Sequence, residues 1–279
     1  MIIDFHTHVV PPRIKERRRE YLGCDPTFDL LYSDPKSKLA TAEDVIASMD
    51  ADGVDVSVIL SLGWASHQLC VEANDYMMES VARYPGRLVG FCTLQPRVGR
   101  AAVQELERCL GGGLRGVGEL RPDVQGFDLM DKSTMEPLVD LGRDRGAIFL
   151  LHASEPVGHK YPGKGAVTPG ILYPFICRYP GLDLVLAHWG GGLPFYALMP
   201  EVARALQKVY FDTSASSFLY RPQVYGQVMD IIGSRKVLFG SDFPLNPQGR
   251  PIGEIDTLDL SSKAKRLVLG ENARSLLAL

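Results

Sequence analysis

No apolar run in the 279 residues approaches the roughly 20 needed to cross a membrane. The chain opens without a basic stretch leading into an apolar one, so no secretion signal is expected. Its five cysteines (Cys24, Cys70, Cys92, Cys109 and Cys177) are scattered, odd in number and free of any C-x-x-C pair. They read as reduced, packed thiols of a cytoplasmic protein, which excludes a disulfide frame. No N-x-S/T sequon occurs. Neither sign of charge dominates: the net charge of -3 gives no electrostatic reason to expect nucleic acid or an anionic membrane as partner. Short-period repeats and low-complexity linkers are also absent. The glycine-rich GGGLRG at 111–116 has no helix after it, so it reads as a helix stop and not a dinucleotide loop.

What is present is a soluble, globular composition, with 46% hydrophobic and 23% charged residues. The length suits one α/β barrel domain spanning 1–279. Short apolar runs predict strands at Ile2–Phe5, Val56–Leu60, Leu88–Cys92, Gly116–Leu120, Ala147–Leu151, Leu184–Ala187, Val209–Asp212 and Val237–Phe239. Most are apolar throughout, as strands buried on both faces of a parallel sheet are. Amphipathic runs between them predict helices at Ala42–Ala51, Gln68–Arg83, Arg100–Leu110, Ser133–Arg145, Thr168–Arg178, Pro194–Leu206, Pro222–Ile232 and Ser262–Leu277. Thr41 with Asp44 three residues on is a helix start, and Gly53 and Gly146 are among the stops. Eight strands each followed by a helix predict a (β/α)8 TIM barrel, with an open doubly wound sheet as the alternative.

Three connections are long: 9–40, 121–132 and 153–167. All follow strand C-termini, where barrel active sites are built, so they are expected to wall a pocket over the site. The first carries the basic run Arg13–Arg19, which reads as a solvated helix. The third carries His159, Lys160, Tyr161 and Lys164.

Polar residues collect at the predicted strand ends. Asp4, His6 and His8 stand two apart in MIIDFHTHVVPP, and residues two apart in a strand share a face. Alternation places Asp4 on that face one layer deeper, as a buried supporting group and not a ligand. Further on come Glu119 and Arg121 in GVGELRP, His152 in LLHASE, His188 in LAHWGG, Asp212 and Ser214 in YFDTSAS, and Asp242 in FGSDFP. Three or four histidines with one aspartate suit a divalent metal with a position open for water. Asp242 is the candidate to handle a proton beside that water, with His188 as its partner or as a polariser of the substrate. Glu119 is either a metal contact or a salt-bridge partner of Arg121 or Arg115. Backbone N–H groups at Gly190–Gly192 either hold an anion or simply pack closely. His67 reads as a surface or packing residue, and His159 as pocket wall or surface.

IDFHTHVVPP, LLHAS, LAHWGG and GSDFP resemble the amidohydrolase superfamily of metal-dependent barrels, specifically its amidohydrolase-related branch with the aminocarboxymuconate-semialdehyde and γ-resorcylate decarboxylases. The resemblance runs from the first strand to the eighth. It implies that His6, His8, His152 and Asp242 hold one divalent metal, with zinc the expected ion. It makes His188 the adjacent catalytic histidine or a ligand of a second ion, bound also through Glu119. The branch contains hydrolases and non-oxidative decarboxylases. Here GELRP supplies Glu119, which is more like the bridging glutamate of TatD-like hydrolases, and the chain is shorter than the decarboxylases.

The leading expectation is therefore hydrolysis of a C–O or C–N bond, in a lactone, ester or amide, of a small acidic substrate. Arg121, Tyr161, Lys164 and Trp189 are the candidate substrate contacts. Decarboxylation by a carboxy-lyase of the same fold is the alternative, and a non-catalytic metal-binding barrel the third reading. Barrels of this branch often pair, which makes Phe195, Tyr196, Phe218 and Tyr220 candidates for a homodimer interface. Core packing or pocket lining explains them equally well.

Overall fold

A computed structural model describes all residues, 1–279. The eight strands are β1 (Ile3–His8), β2 (Val56–Leu60), β3 (Leu88–Cys92), β4 (Gly116–Leu120), β5 (Ile148–Leu151), β6 (Leu184–Leu186), β7 (Val209–Asp212) and β8 (Val237–Leu238). They pair in parallel and in sequence order. The ends of that sheet meet through the Thr7–Phe243 bridge and the hydrogen bonds from Phe5 N to Phe239 O and Asp242 N to His6 O. The result is the expected (β/α)8 barrel.

Alternation sorts the side chains into two layers. Ile3, Phe5, Val58, Phe91, Leu150 and Val185 belong to one buried cluster that fills the barrel interior. Ile59, Val117, Phe149, Leu151, Leu186 and Phe211 belong to a larger one between strands and helices. Local signals act as the sequence predicts. Thr41 and Asp44 form a reciprocal capping box, and Gly53 ends that helix at φ 71°.

Two strands break the alternation, each at a candidate ligand. Between the pairs Asp4–Ser57 and Thr7–Ile59, Phe5 and His6 together oppose Val58. Between Val117–Phe149 and Leu120–Leu151, Gly118 and Glu119 together oppose Leu150. Each extra residue is a β-bulge, which flips the facing of everything after it. Thus Phe5 and His6 both face the interior, and Glu119 turns inward although Val117 faces the helices. At Gly118, φ is 153° and an added Cβ would stand 2.6 Å from Leu150 O, so only glycine serves there.

The first bulge corrects one expectation. Asp4 is buried, but on the helix side of the barrel wall, opposite to His6 and His8. Its carboxylate accepts from Ser241 N and His6 N through Oδ1 and from Gln248 Nε2 through Oδ2, and Gln248 also bonds Ser57. It joins β1 to the turn that carries Asp242.

Other departures are local. The 9–40 segment contains the helices Pro12–Glu16, Arg18–Tyr21 and Pro26–Tyr32, and Pro122–Gln125 interrupts 121–132. In place of one helix over Pro194–Leu206 there is a kinked 3-10 stretch, His188–Leu198, then helix Pro200–Ala205. Its cause is a run of left-handed residues, with φ of 57°, 59°, 60° and 89° at Trp189, Gly190, Gly191 and Gly192. Three of those four are glycines, which enter that region freely.

Candidate functional site

His6, His8, Glu119, His152, His188 and Asp242 converge at the C-terminal rim of the barrel. His6 and His8 Nε2 stand 3.0 Å apart. Asp242 Oδ1 is 3.3 Å from His8 Nε2 and 3.7 Å from His6 Nε2, and Glu119 Oε2 is 4.0 Å from His8 Nε2. The other Glu119 oxygen, Oε1, is 2.9 Å from His152 Nδ1 and 3.6 Å from His188 Nε2. Two nests result, His6–His8–Glu119 and Glu119–His152–His188, and Glu119 belongs to both.

Supports fix these groups. Asp212 Oδ2 lies 2.8 Å from His6 Nδ1, so that nitrogen carries a proton and Nε2 is turned to the cluster. Asp212 Oδ1 accepts from His188 N, Ser214 N and Ser214 Oγ. Ser214 in turn contacts His188 Nδ1 through its hydroxyl (2.8 Å). His188 and Asp242 both sit at positive φ, 55° and 66°. Such backbone costs about 1–3 kcal/mol per residue and is held where the surroundings impose it, often at functional sites. By parity His188 would follow Leu184 and Leu186 toward the helices, and the left-handed turn brings it inward instead.

The charge balance calls for a cation. Burial alone would hold His6 down, but the Asp212, Asp242 and Glu119 carboxylates outweigh it and lift His6 to about 10. Burial also favours neutral Glu119 and Asp242, yet the surrounding imidazoles hold both carboxyls well below the usual range. Burial and the charge of Arg121 bring His152 down to about 4. The ionised carboxylates thus draw positive charge onto a cluster in which His6 and His8 Nε2 already face each other at 3.0 Å. A divalent ion would supply that charge and take up those nitrogens. With metal–nitrogen bonds of about 2.1 Å, two ligands at a right angle stand about 3.0 Å apart, and His6 and His8 Nε2 show that spacing. The donors are all nitrogen and oxygen. Cys70, Cys92 and Cys109 are buried in the apolar clusters, and Cys24 and Cys177 are exposed.

Above the cluster opens a cavity of about 400 Å³, lined by His8, Glu119, Arg121, His152, His188 and Asp242 at its floor. Its walls include Tyr32 and Lys38 from 9–40, His159 and Tyr161 from 153–167, Phe218, and Leu245. The long connections after strands 1 and 5 thus contribute to the cavity wall, and Arg121 and Tyr161 are among the lining residues. Lys164 and Trp189 do not line the cavity. Lys164 Nζ donates to Val157 O and His159 O. Trp189 is wholly buried against Tyr225, its Nε1 donating to Ser216 Oγ. Close packing accounts for Gly190 and Gly191, where an added Cβ would stand 2.7 Å from Phe211 Cε1 and 2.3 Å from Ser154 O, and the φ of 89° accounts for Gly192. Phe195 and Tyr196 are exposed, whereas Phe218 is both exposed and part of the cavity wall. His67 begins helix His67–Arg83, away from the cavity.

Sequence reasoning missed Tyr32 and its support. Tyr32 packs on Phe28 at 5.1 Å, and Phe28 stacks on Trp64. Arg18, inside the run read as a solvated helix, donates to the carbonyls of Tyr32, Asp34, Pro35 and Ser37. Guanidinium has five donors in a rigid fork, and here that fork shapes the segment leading to Lys38. No periodic signal in 9–40 announces it. The lone arginine in reach of four carbonyls is visible only in three dimensions.

Gly240 supports the floor by having no side chain: an added Cβ would stand 2.9 Å from His6 Cβ. Gly240→Ala is therefore expected to displace His6 and weaken metal binding by about 10- to 100-fold, the usual scale for disturbing a ligand's support. Titration of the stripped variant with manganese, read against wild type, checks this. Equal affinity would contradict the assignment of His6 as a ligand.

The fold and the cluster define the class: a barrel with a histidine–carboxylate centre suited to a divalent ion at its C-terminal rim. A family model described as amidohydrolase matches residues 3–279, and the chain belongs to that family. Among curated relatives, the 2-amino-3-carboxymuconate-6-semialdehyde decarboxylase of Dictyostelium discoideum is 24% identical, with 99% of this chain and 91% of that protein aligned. Among solved structures, the 5-carboxyvanillate decarboxylase of Sphingomonas paucimobilis superposes with a TM-score of 0.82 at 18% identity, covering 100% of this chain and 99% of that one. The dihydroxybenzoic acid decarboxylase of a Polaromonas species, solved with bound manganese and the inhibitor 2-nitroresorcinol, gives 0.73 at 20% identity, covering 100% and 97%.

Proposed function

We propose that the protein is a metal-dependent, non-oxidative decarboxylase of a small unsaturated or aromatic acid. The reading is carried by three curated relatives that align over nine-tenths or more of both chains, each named for a decarboxylation. They favour the second of the three sequence expectations over hydrolysis, which the donor set alone does not separate from it. A cavity of about 400 Å³ suits a single-ring acid.

In this reading His6, His8, Asp242 and His152 would hold the ion, with Glu119 as a further contact. Glu119 and His188 are the pair through which a second ion could be held. Zinc was the expectation from sequence; manganese suits the same nitrogen and oxygen donors. A bound divalent ion would polarise substrate oxygen and stabilise charge developing there.

The side chains do the rest. Asp212 holds His6 in one tautomer. Glu119 and Asp242 outweigh the effect of burial on His188 and raise it above its ordinary value. His188 can therefore store a proton beside ionised Asp242. His188 passes that proton, directly or through Asp242, to the substrate carbon that bears the carboxylate. The carbon–carbon bond then breaks, its electron pair returns to the unsaturated system, and carbon dioxide leaves. Leu31, Leu62, Phe218 and Leu245 contribute apolar wall that limits water around the reacting carbon.

The test is a panel of dihydroxybenzoates and muconate-like acids with manganese-loaded protein in deuterium oxide. Carbon dioxide release with one deuterium gained at carbon is expected. Product labelled from 18O-water, with no carbon dioxide, would select hydrolysis and sink the reading.

A further inference from the structure

Arg121 is a buried cation with no carboxylate in hydrogen-bond range, the nearby Asp123 standing only at ion-pair distance. Only 2% of the residue is exposed, yet it lines the cavity beside Glu119 and His152. One donor, Nη2, reaches Gly163 O at 2.8 Å. Asp123 Oδ2 is 3.7 Å from that same nitrogen, outside hydrogen-bond range, and accepts from Ala166 N instead. Arg121 Nε is buried with no partner. Nη1 makes no hydrogen bond in the chain. Glu119, two residues earlier on the same face, is committed to the imidazoles. A guanidinium taken out of water needs an acceptor that matches its fork, and carboxylate is the best match.

We propose that Arg121 is the specificity-determining residue of the cavity, receiving a carboxylate oxygen of the ligand on its unpaired edge. This deepens the decarboxylase reading and rests on it only for the statement that the ligand is an acid. The position suits a cation at the end of β4 beside the candidate metal ligands: a bound ion would stabilise charge on the substrate, and the guanidinium would meet the acid group. The arrangement also couples the ligand to the 153–167 wall, because the same side chain holds Gly163.

The experiment uses manganese-loaded protein and two probes of nearly equal shape, 2-hydroxybenzoate and its neutral carboxamide, titrated calorimetrically. Wild type is expected to bind the acid about 10- to 100-fold more tightly, the scale of a charged hydrogen bond. Arg121→Gln should bring that ratio near one by weakening the acid alone, with manganese content unchanged. Arg121→Lys should keep part of the preference. The melting temperature of each variant shows that it is folded. A merely structural arginine predicts that both probes weaken in parallel, and that result overturns the proposal. Wild type that binds both probes alike, or neither, also overturns it. Carbon dioxide release is measured separately on the panel above. An intact acid preference that depends on Arg121, with no carbon dioxide released, would sink decarboxylation and leave this assignment standing.

Discussion

Asp242→Asn is expected to fold normally and to lose turnover by about 10³-fold or more. The carboxylate lies within 3.3 Å of His8 Nε2, and its charge helps to raise His6 and His188. Asparagine keeps the shape but can neither carry the negative charge nor relay a proton. Removing a positioned acid or base costs about 10²–10⁴-fold on its own. The substitution is mild for the backbone, because asparagine, like aspartate, enters the left-handed region at small cost. At φ 66° most other residues would add strain, so Asp242→Ala is the poorer test. Rates with manganese-loaded protein, alongside melting temperature, check this. A folded variant that retains a tenth of wild-type turnover would remove Asp242 from the chemistry.

Removing the divalent ion is the second large effect. Dialysis against a chelator should abolish activity, and added manganese or zinc should restore it. Stability should move too, because an ion that binds only the folded chain stabilises it by about 2.7 kcal/mol at a hundred times its dissociation constant. For a chain of this size that is a shift in melting temperature of about 5–10 °C. The direction follows from the site: Glu119, Asp212 and Asp242 concentrate negative charge around the imidazoles, which a bound cation would offset. A melting curve indifferent to chelator and metal would contradict the proposed centre.

Much of this centre was legible because its chemistry sits where apolar runs stop. His152 needs nothing beyond alternation, since Ile148 and Leu150 face the interior and it follows them. His6, His8, His188 and Asp242 were found by type and place, although three of these four do not obey simple parity. That is why Asp4 was put on the wrong side of the wall. An inserted residue leaves no mark in a pattern of apolar letters. The walls were less legible. Tyr32 owes its place to Phe28 and to Arg18, which lie in a segment without regular period. Lys164 and Trp189 have the right chemistry for substrate contacts, but one is occupied by carbonyls and the other by the core. The reaction itself was out of reach, because hydrolysis and decarboxylation can employ the same donors.

The two bulges have a consequence for how such a chain can vary. Because His6 and Glu119 each follow an irregular step, these candidate ligands are out of phase with the apolar plug beneath them. Swapping one interior side chain for another, at Val58 or Leu150 for instance, alters the height and fill of that plug and rotates no ligand. Losing a single residue at Phe5–His6 or at Gly118–Glu119 would instead send an imidazole or a carboxylate into the helix layer. Strand length at those two points is therefore the quantity under constraint. The walls contributed by 9–40 and 153–167 remain free to lengthen, shorten and change what fits above the ion.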